Sequence, residues 1–138
     1  MSNDVHIVTY ALGDPGADDK KLWLLKAPSD AQGGGIRIVE AYVVNQIAVT
    51  NSLGVGGTTF TLALHKYSSG GTPAVNGTIA AAVGGTAEGW AAGVVKTFTL
   101  NEAYTFIDAG EWLVGQYNEV NAGNPTLASI VVQYKVGK

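Results

Sequence analysis

Cysteine is absent from this chain of 138 residues, which excludes disulfides, thiolate nucleophiles, zinc ribbons and iron–sulfur sites together. Charge is scarce. Asp, Glu, Lys and Arg make up 14% of the residues, against about 25% in an average soluble chain. The 8 basic residues are outnumbered by 11 acidic ones, so the net charge is −3. Nucleic acid and anionic membranes call for a clustered excess of Lys and Arg, and neither is expected as a partner. No apolar run approaches the roughly 18 residues of a membrane span. The opening Met1-Ser2-Asn3-Asp4 is polar and acidic, without the basic and apolar regions of a secretory signal, and a protein made and retained in a cytoplasm is expected. Helix-forming sequence is poor as well. The Ala-rich stretch from Thr78 to Val95 is cut by Gly84, Gly85, Gly89 and Gly93, and each interior glycine costs a helix about 1 kcal/mol relative to alanine. One short helical turn there is the most the sequence supports.

What the chain does have is 46% hydrophobic residues arranged with a period of two. From Thr58 to Lys66, Phe60, Leu62 and Leu64 share one face while Thr59, Thr61, Ala63 and His65 share the other, the pattern of a half-buried strand. From Leu127 to Val136, Ala128, Ile130, Val132, Tyr134 and Val136 alternate with Ser129, Val131, Gln133 and Lys135. The β-branched stretch Ile36 to Ala48 loses its alternation near Glu40, which points to a bulge or to burial on both faces. Val94 to Leu100, Glu111 to Tyr117, Val5 to Leu12 and Lys21 to Lys26 complete the set, bounded by turn clusters such as Gly13-Asp14-Pro15-Gly16 and Asp108-Ala109-Gly110. About eight short strands joined by Gly/Asn/Ser-rich loops predict an all-β chain, a single antiparallel β-sandwich or jelly-roll-like domain. Residues 1–20 are expected to form an N-terminal arm or first strand with an acidic turn, and residues 21–138 the sandwich.

Motifs that name a chemistry are missing. Asp14, Asp18 and Asp19, with Asp30, offer the oxygens that Ca²⁺ takes. The D-x-[DN]-x-[DN]-G spacing is absent, however, and Lys20 and Lys21 follow at once, so the reading is a solvated turn. His6 and His65 are the only histidines, too few for a zinc site of three or four ligands. Gly54-Val55-Gly56-Gly57 lacks the Lys-Ser/Thr of a phosphate loop, and no G-x-S-x-G elbow occurs. No metal, no cofactor and no enzymatic activity are expected. Aromatic residues remain, three Trp and six Tyr, which on a sandwich face would make a sugar-stacking platform of the carbohydrate-binding-module kind. Trp23 and Trp112 lie in apolar strands and are expected in the core. Trp90, in Glu88-Gly89-Trp90-Ala91, either anchors a partner or folds back to cap the sandwich.

Four segments follow one another in a telling order: Gly34-Gly35-Ile36-Arg37-Ile38-Val39-Glu40-Ala41-Tyr42-Val43-Val44, Phe60-Thr61-Leu62-Ala63-Leu64-His65-Lys66, Phe98-Thr99-Leu100 and Asp108-Ala109-Gly110-Glu111-Trp112-Leu113-Val114. In that order, and in its Gly/Ala/Thr-rich composition, the chain resembles the small β-sandwich structural proteins of tailed-bacteriophage virions, particularly capsid decoration or cement proteins. The resemblance carries over no catalytic residue. It implies a virion protein, assembled in the host cytoplasm, that forms a homotrimer and grips the major capsid protein from outside. On this reading Asn3, Asp4 and His6 belong to a capsid-facing segment from Ser2 to Lys20, Trp90 and the loop from Ala80 to Gly93 stand at a subunit boundary, and Val94 is at a capsid or subunit interface. A carbohydrate-binding or receptor-binding module is the alternative, and a tail-tube or head–tail connector component a third. Deletion of Ser2 to His6 is expected to abolish co-sedimentation with intact capsids while the folded oligomer persists in light scattering; unaltered binding removes the assignment of that segment.

Overall fold

In the computed structural model, which describes residues 4–12, 20–45, 59–84, 95–120 and 128–137, the period-2 stretches become nine strands. They are β1 (His6–Ala11), β2 (Lys20–Lys26), β3 (Ile36–Asn45), β4 (Thr59–Tyr67), β5 (Pro73–Gly84), β6 (Val95–Thr97), β7 (Phe106–Ile107), β8 (Trp112–Val120) and β9 (Ala128–Val136). All pairings are antiparallel. One sheet runs β1-β9-β3-β6, with β7 also on β3, and the other runs β2-β8-β4-β5. β6 pairs with Tyr42 to Val44 and β7 with Ile36 and Arg37, so the two lie end to end beside one strand. They are halves of a single interrupted edge strand. Counted as one, they give eight strands, with the first, eighth, third and sixth in one sheet and the second, seventh, fourth and fifth in the other, which is the order of a jelly roll.

The interruption has a structural use. Between β6 and β7 the chain leaves the first sheet: Leu100 bridges to Ala80 on β5, and the Asn101 amide donates to the Ile79 carbonyl at 2.7 Å. A 3₁₀ turn at Glu102–Tyr104, its Asn101 cap accepting from the Ala103 amide, then returns the chain to β3. The Ile38 amide donates to the Thr105 carbonyl at 3.0 Å and the return is complete. One side of the sandwich is thereby closed by main-chain hydrogen bonds that would otherwise lie unpaired at two sheet edges.

The core fills the space between the sheets. Ile36, Ile38, Ala41 and Val43 of β3 and Ile130 and Val132 of β9 meet Leu62 and Leu64 of β4 and Leu113 and Tyr117 of β8, all nearly or fully buried. Two bulges adjust which residues reach it. In β3 the register shifts between Ile38 and Glu40, so Val39 and Glu40 are both exposed and Ala41 and Val43 return inward. The break in alternation at Glu40 is therefore a bulge. In β2 the shift between Trp23 and Leu25 turns Leu24 and Leu25 both toward the core.

Residues 78–84 of the Ala-rich stretch belong to β5, which takes its hydrogen bonds from β4, and the stretch from 85 to 94 lies outside the described residues. Two expectations need correction. β6 ends at Thr97, short of Leu100, because the chain turns away to the second sheet. Trp23 and Trp112 lie outside the core for a reason given below. The connections β2–β3, β4–β5 and β7–β8 share one end of the sandwich and are tightly bonded. In the last, Gly110 has φ +81° and its amide reaches the Ala27 carbonyl at 3.1 Å, a left-handed conformation that favours glycine.

Among the glycines whose surroundings are described, Gly35 is the least tolerant of a side chain. A Cβ there would collide with the Ile107 carbonyl oxygen and stand 2.6 Å from Phe106 Cζ, and the Gly35 carbonyl accepts from the Gly137 amide at 2.7 Å. Gly35→Ala is expected to destabilise the fold by about 1–3 kcal/mol, the range of overpacked cores, measured by urea denaturation; an unchanged midpoint contradicts this packing.

Candidate functional site

Among the described residues no group of three or more His, Asp or Glu side chains converges on a point. The features that distinguish the surface are the outer faces of the two sheets. Strand pairing places Lys26, Trp112 and Tyr67 in one row across β2, β8 and β4, and Trp23, Val114 and His65 in the next. These rows carry an aromatic cluster. Trp23 meets Tyr67 edge-on with ring centroids 5.5 Å apart and planes at 84°, and meets Trp112 at 5.4 Å and 76°. Perpendicular contacts of this kind are the favoured geometry of aromatic pairs. Lys26 Nζ lies 5.5 Å from the centre of a Trp112 ring, within cation–π range. Beneath the cluster Val114, on the outer face of its strand, is nevertheless fully buried, and Tyr67 nearly so.

Trp23 is 42% exposed and Trp112 half-buried, against the expectation that both belong to the core. The reason is parity. Leu22 and Leu24 hold the inward positions of β2, so the residue between them faces out. Leu113 and Tyr117 hold those of β8, so Trp112 and Val114 face out as well. The Leu-Trp-Leu and Trp-Leu-Val orders contain this signal, which general apolarity obscures.

His65 sits on the same face, as its place beside Thr61 and Ala63 predicts. Its Nδ1 is 3.5 Å from the Thr78 hydroxyl, and burial, reinforced by the charge of Lys21, holds its pKa below 6.5. The imidazole is therefore neutral at pH 7. The outward positions of β2, β8 and β4 hold Lys21 and Lys26 and, among the described residues, no carboxylate. Glu111, on the turn leading into β8, accepts instead from the Asp108 amide at 2.9 Å.

The outer face of the first sheet differs. Ile7 and Thr9 of β1, Val131 of β9, Tyr42 and Val44 of β3 and Val95 of β6 lie across it, without a charged side chain among them. Of the five large hydrophobic residues exposed among those described, Ile7 (63%), Val39 and Val95 are on strands of this sheet and Val5 leads into it. Charge enters in the row of Ile7 itself, which runs Ile7, Gln133 and Glu40 across the three strands, and continues with Arg37 and Lys135 beyond it.

Of the residues expected at an interface, Asp4 is exposed just ahead of β1, and His6 is exposed at its start with its ring stacked on Tyr134 at 5.4 Å. Asn3, Trp90 and Val94 lie outside the described residues, as do Asp14, Asp18 and Asp19. The Trp23–Tyr67–Trp112 cluster was not anticipated as a surface feature.

No protein-family model matches the sequence, and no curated protein does. Among solved structures, a chain of infectious bursal disease virus, Gx strain, is similar at 12% identity with a TM-score of 0.32, over 99% of this chain and 38% of that one. This chain thus spans well under half of its neighbour. A likeness of this extent carries no argument about fold or function.

The pH dependence of stability follows from His65. Its folded pKa is depressed, so in acid the unfolded chain binds a proton that the folded chain resists, and stability falls as pH drops below about 6.5. Above that range its contribution is constant. The melting temperature is expected to decline from pH 7 to pH 5.5, with a shallower decline for His65→Gln; identical slopes contradict the assignment.

Proposed function

We propose that the protein is a non-enzymatic structural protein of a virion, bound as an oligomer, most favourably a trimer, to the outer surface of a phage capsid. The observation that carries this reading is the part of the first sheet's outer face that runs from Thr9 across Val131 and Tyr42 and on to Val44 and Val95, which holds no charged side chain and is bordered by the exposed Ile7. Exposed aliphatic side chains such as Ile7 and Val95 on a sheet face with little charge mark a place where another protein packs. The low charge of the whole chain agrees with a surface largely covered by neighbours. Jelly-roll strand order is compatible with capsid proteins and with lectins alike. The phage, decoration and trimer elements come from the sequence resemblance.

The mechanism would be polyvalent. Each subunit contributes modest contacts, and an oligomer that engages several capsid subunits at once binds with avidity exceeding any single contact. Apolar area removed from water at about 25 cal/mol/Å² then adds to the cohesion of the shell. A carbohydrate-binding or receptor-binding role is the second reading, and the exposed Trp23, held against Tyr67 and Trp112, favours it.

Light scattering and co-sedimentation test the first reading. The wild-type chain is expected to run as a trimer and to pellet with intact phage capsids. Ile7→Lys combined with Val95→Lys, both exposed positions, is expected to dissociate the trimer and to weaken capsid binding on the order of tenfold or more, with an unchanged melting temperature. A wild-type monomer that stays in the supernatant overturns the proposal.

A further inference from the structure

We infer that the outer face of the second sheet binds an acidic saccharide, whose pyranose ring stacks on Trp23 beside Trp112 and whose carboxylate is met by Lys21 and Lys26. This deepens the saccharide reading and is independent of the capsid reading, which rests on the other sheet.

The first support is the aromatic cluster. A tryptophan 42% exposed on the outside of a sheet leaves apolar area in water that a purely structural residue would bury. Trp23 is also held in one orientation, edge-on to Tyr67 and to Trp112, while its six-membered ring rests over the turn at Gly71, where an added Cβ would come within 3.5 Å of Cη2. A ring fixed in this way is preorganised, and a ligand that stacks on it loses little side-chain freedom of the protein. The C–H face of a pyranose is flat, weakly positive and matched in size to an indole, whose π face is weakly negative.

The second support is charge. The chain carries a net charge of −3, yet the outward positions of β2, β8 and β4 hold two lysines and no carboxylate among the described residues. This is the inverse of the overall balance, and it selects an anionic ligand by complementarity. Lys26 is placed against the Trp112 ring, so one group presents ammonium and aromatic surface together. The neutral His65 beside Thr78 offers a hydrogen-bonding group for a hydroxyl without adding charge.

The backbone supports a small ligand over a peptide strand. β8 and β4 are paired on both sides, so their amides and carbonyls are engaged and recognition at the centre of this face must come from side chains. Flat rings and ammonium groups recognise a sugar carrying a carboxylate better than an extended acidic peptide, which would seek free main-chain groups.

The test uses the full chain on an array of oligogalacturonates and sialylated glycans beside neutral galactose and glucose oligomers, followed by tryptophan-fluorescence titration with tetragalacturonate. Binding of acidic glycans is expected, with a change in tryptophan emission. Trp23→Ala should weaken it tenfold or more and Lys26→Gln severalfold with a reduced salt dependence, while Val95→Lys on the other sheet should leave it unchanged. Trp23→Phe, which keeps an aromatic ring on the sheet, covers the case in which Trp23→Ala does not fold, and should bind more weakly than wild type. Retention of neutral glycans alone overturns the acidic specificity while the broader saccharide reading stands, and retention of none overturns both. Equal affinity for poly-glutamate, or binding indifferent to Trp23, also overturns the inference.

Discussion

Packing of the two inner sheet faces against each other is the constraint from which the rest of this molecule follows. Ile36, Ile38, Val43, Ile130 and Val132 on one side and Leu62, Leu64, Leu113 and Tyr117 on the other are nearly or fully buried. A strand turns successive side chains to opposite faces. Once Leu22 and Leu24 point inward, Trp23 has no place in the core, and once Leu113 points inward neither do Trp112 and Val114. The aromatic cluster on the second sheet is therefore a consequence of core packing. Its members then shelter one another, and Val114 is fully buried on a face that would otherwise be wet.

Parity is adjustable at single points. The bulge at Val39 and Glu40 returns Ala41 and Val43 to the core after an extra residue, and the bulge in β2 lets Leu24 and Leu25 both contribute. Without the first, the second half of β3 would present Tyr42 and Val44 inward and bury a different set. The outer face of the first sheet depends on this shift, since it is what leaves Glu40, Tyr42 and Val44 outside beside Gln133, Val131 and Val95.

The two faces differ in the charges they hold. The first carries both signs, with Arg37, Glu40 and Lys135 beside aliphatic and hydroxyl side chains, and the second carries Lys21 and Lys26 around tryptophans. The interrupted edge strand separates them on one side, where Leu100 and Asn101 tie the first sheet to β5. A sandwich closed in this way keeps two distinct faces at fixed positions.

The sequence by itself determined the all-β class, most of the strands to within a few residues and the break in alternation near Glu40, which the register then showed to be a bulge, because alternation and turn residues are local signals. It also placed His65 on an outer face. It missed the strand at Pro73–Gly84 and the short β7, where hydrogen bonds come from partners distant in the chain and small residues leave little periodic trace. It mistook Trp23 and Trp112 for core because apolar character says that a side chain prefers burial, and not which face of the strand is available. Only the tertiary structure decided that, along with the pairing order that makes a jelly roll and the gathering of Lys21, Lys26 and His65 around the aromatics. Those outcomes depend on which strand lies beside which, and that is settled by the packing of the whole core rather than by any one segment.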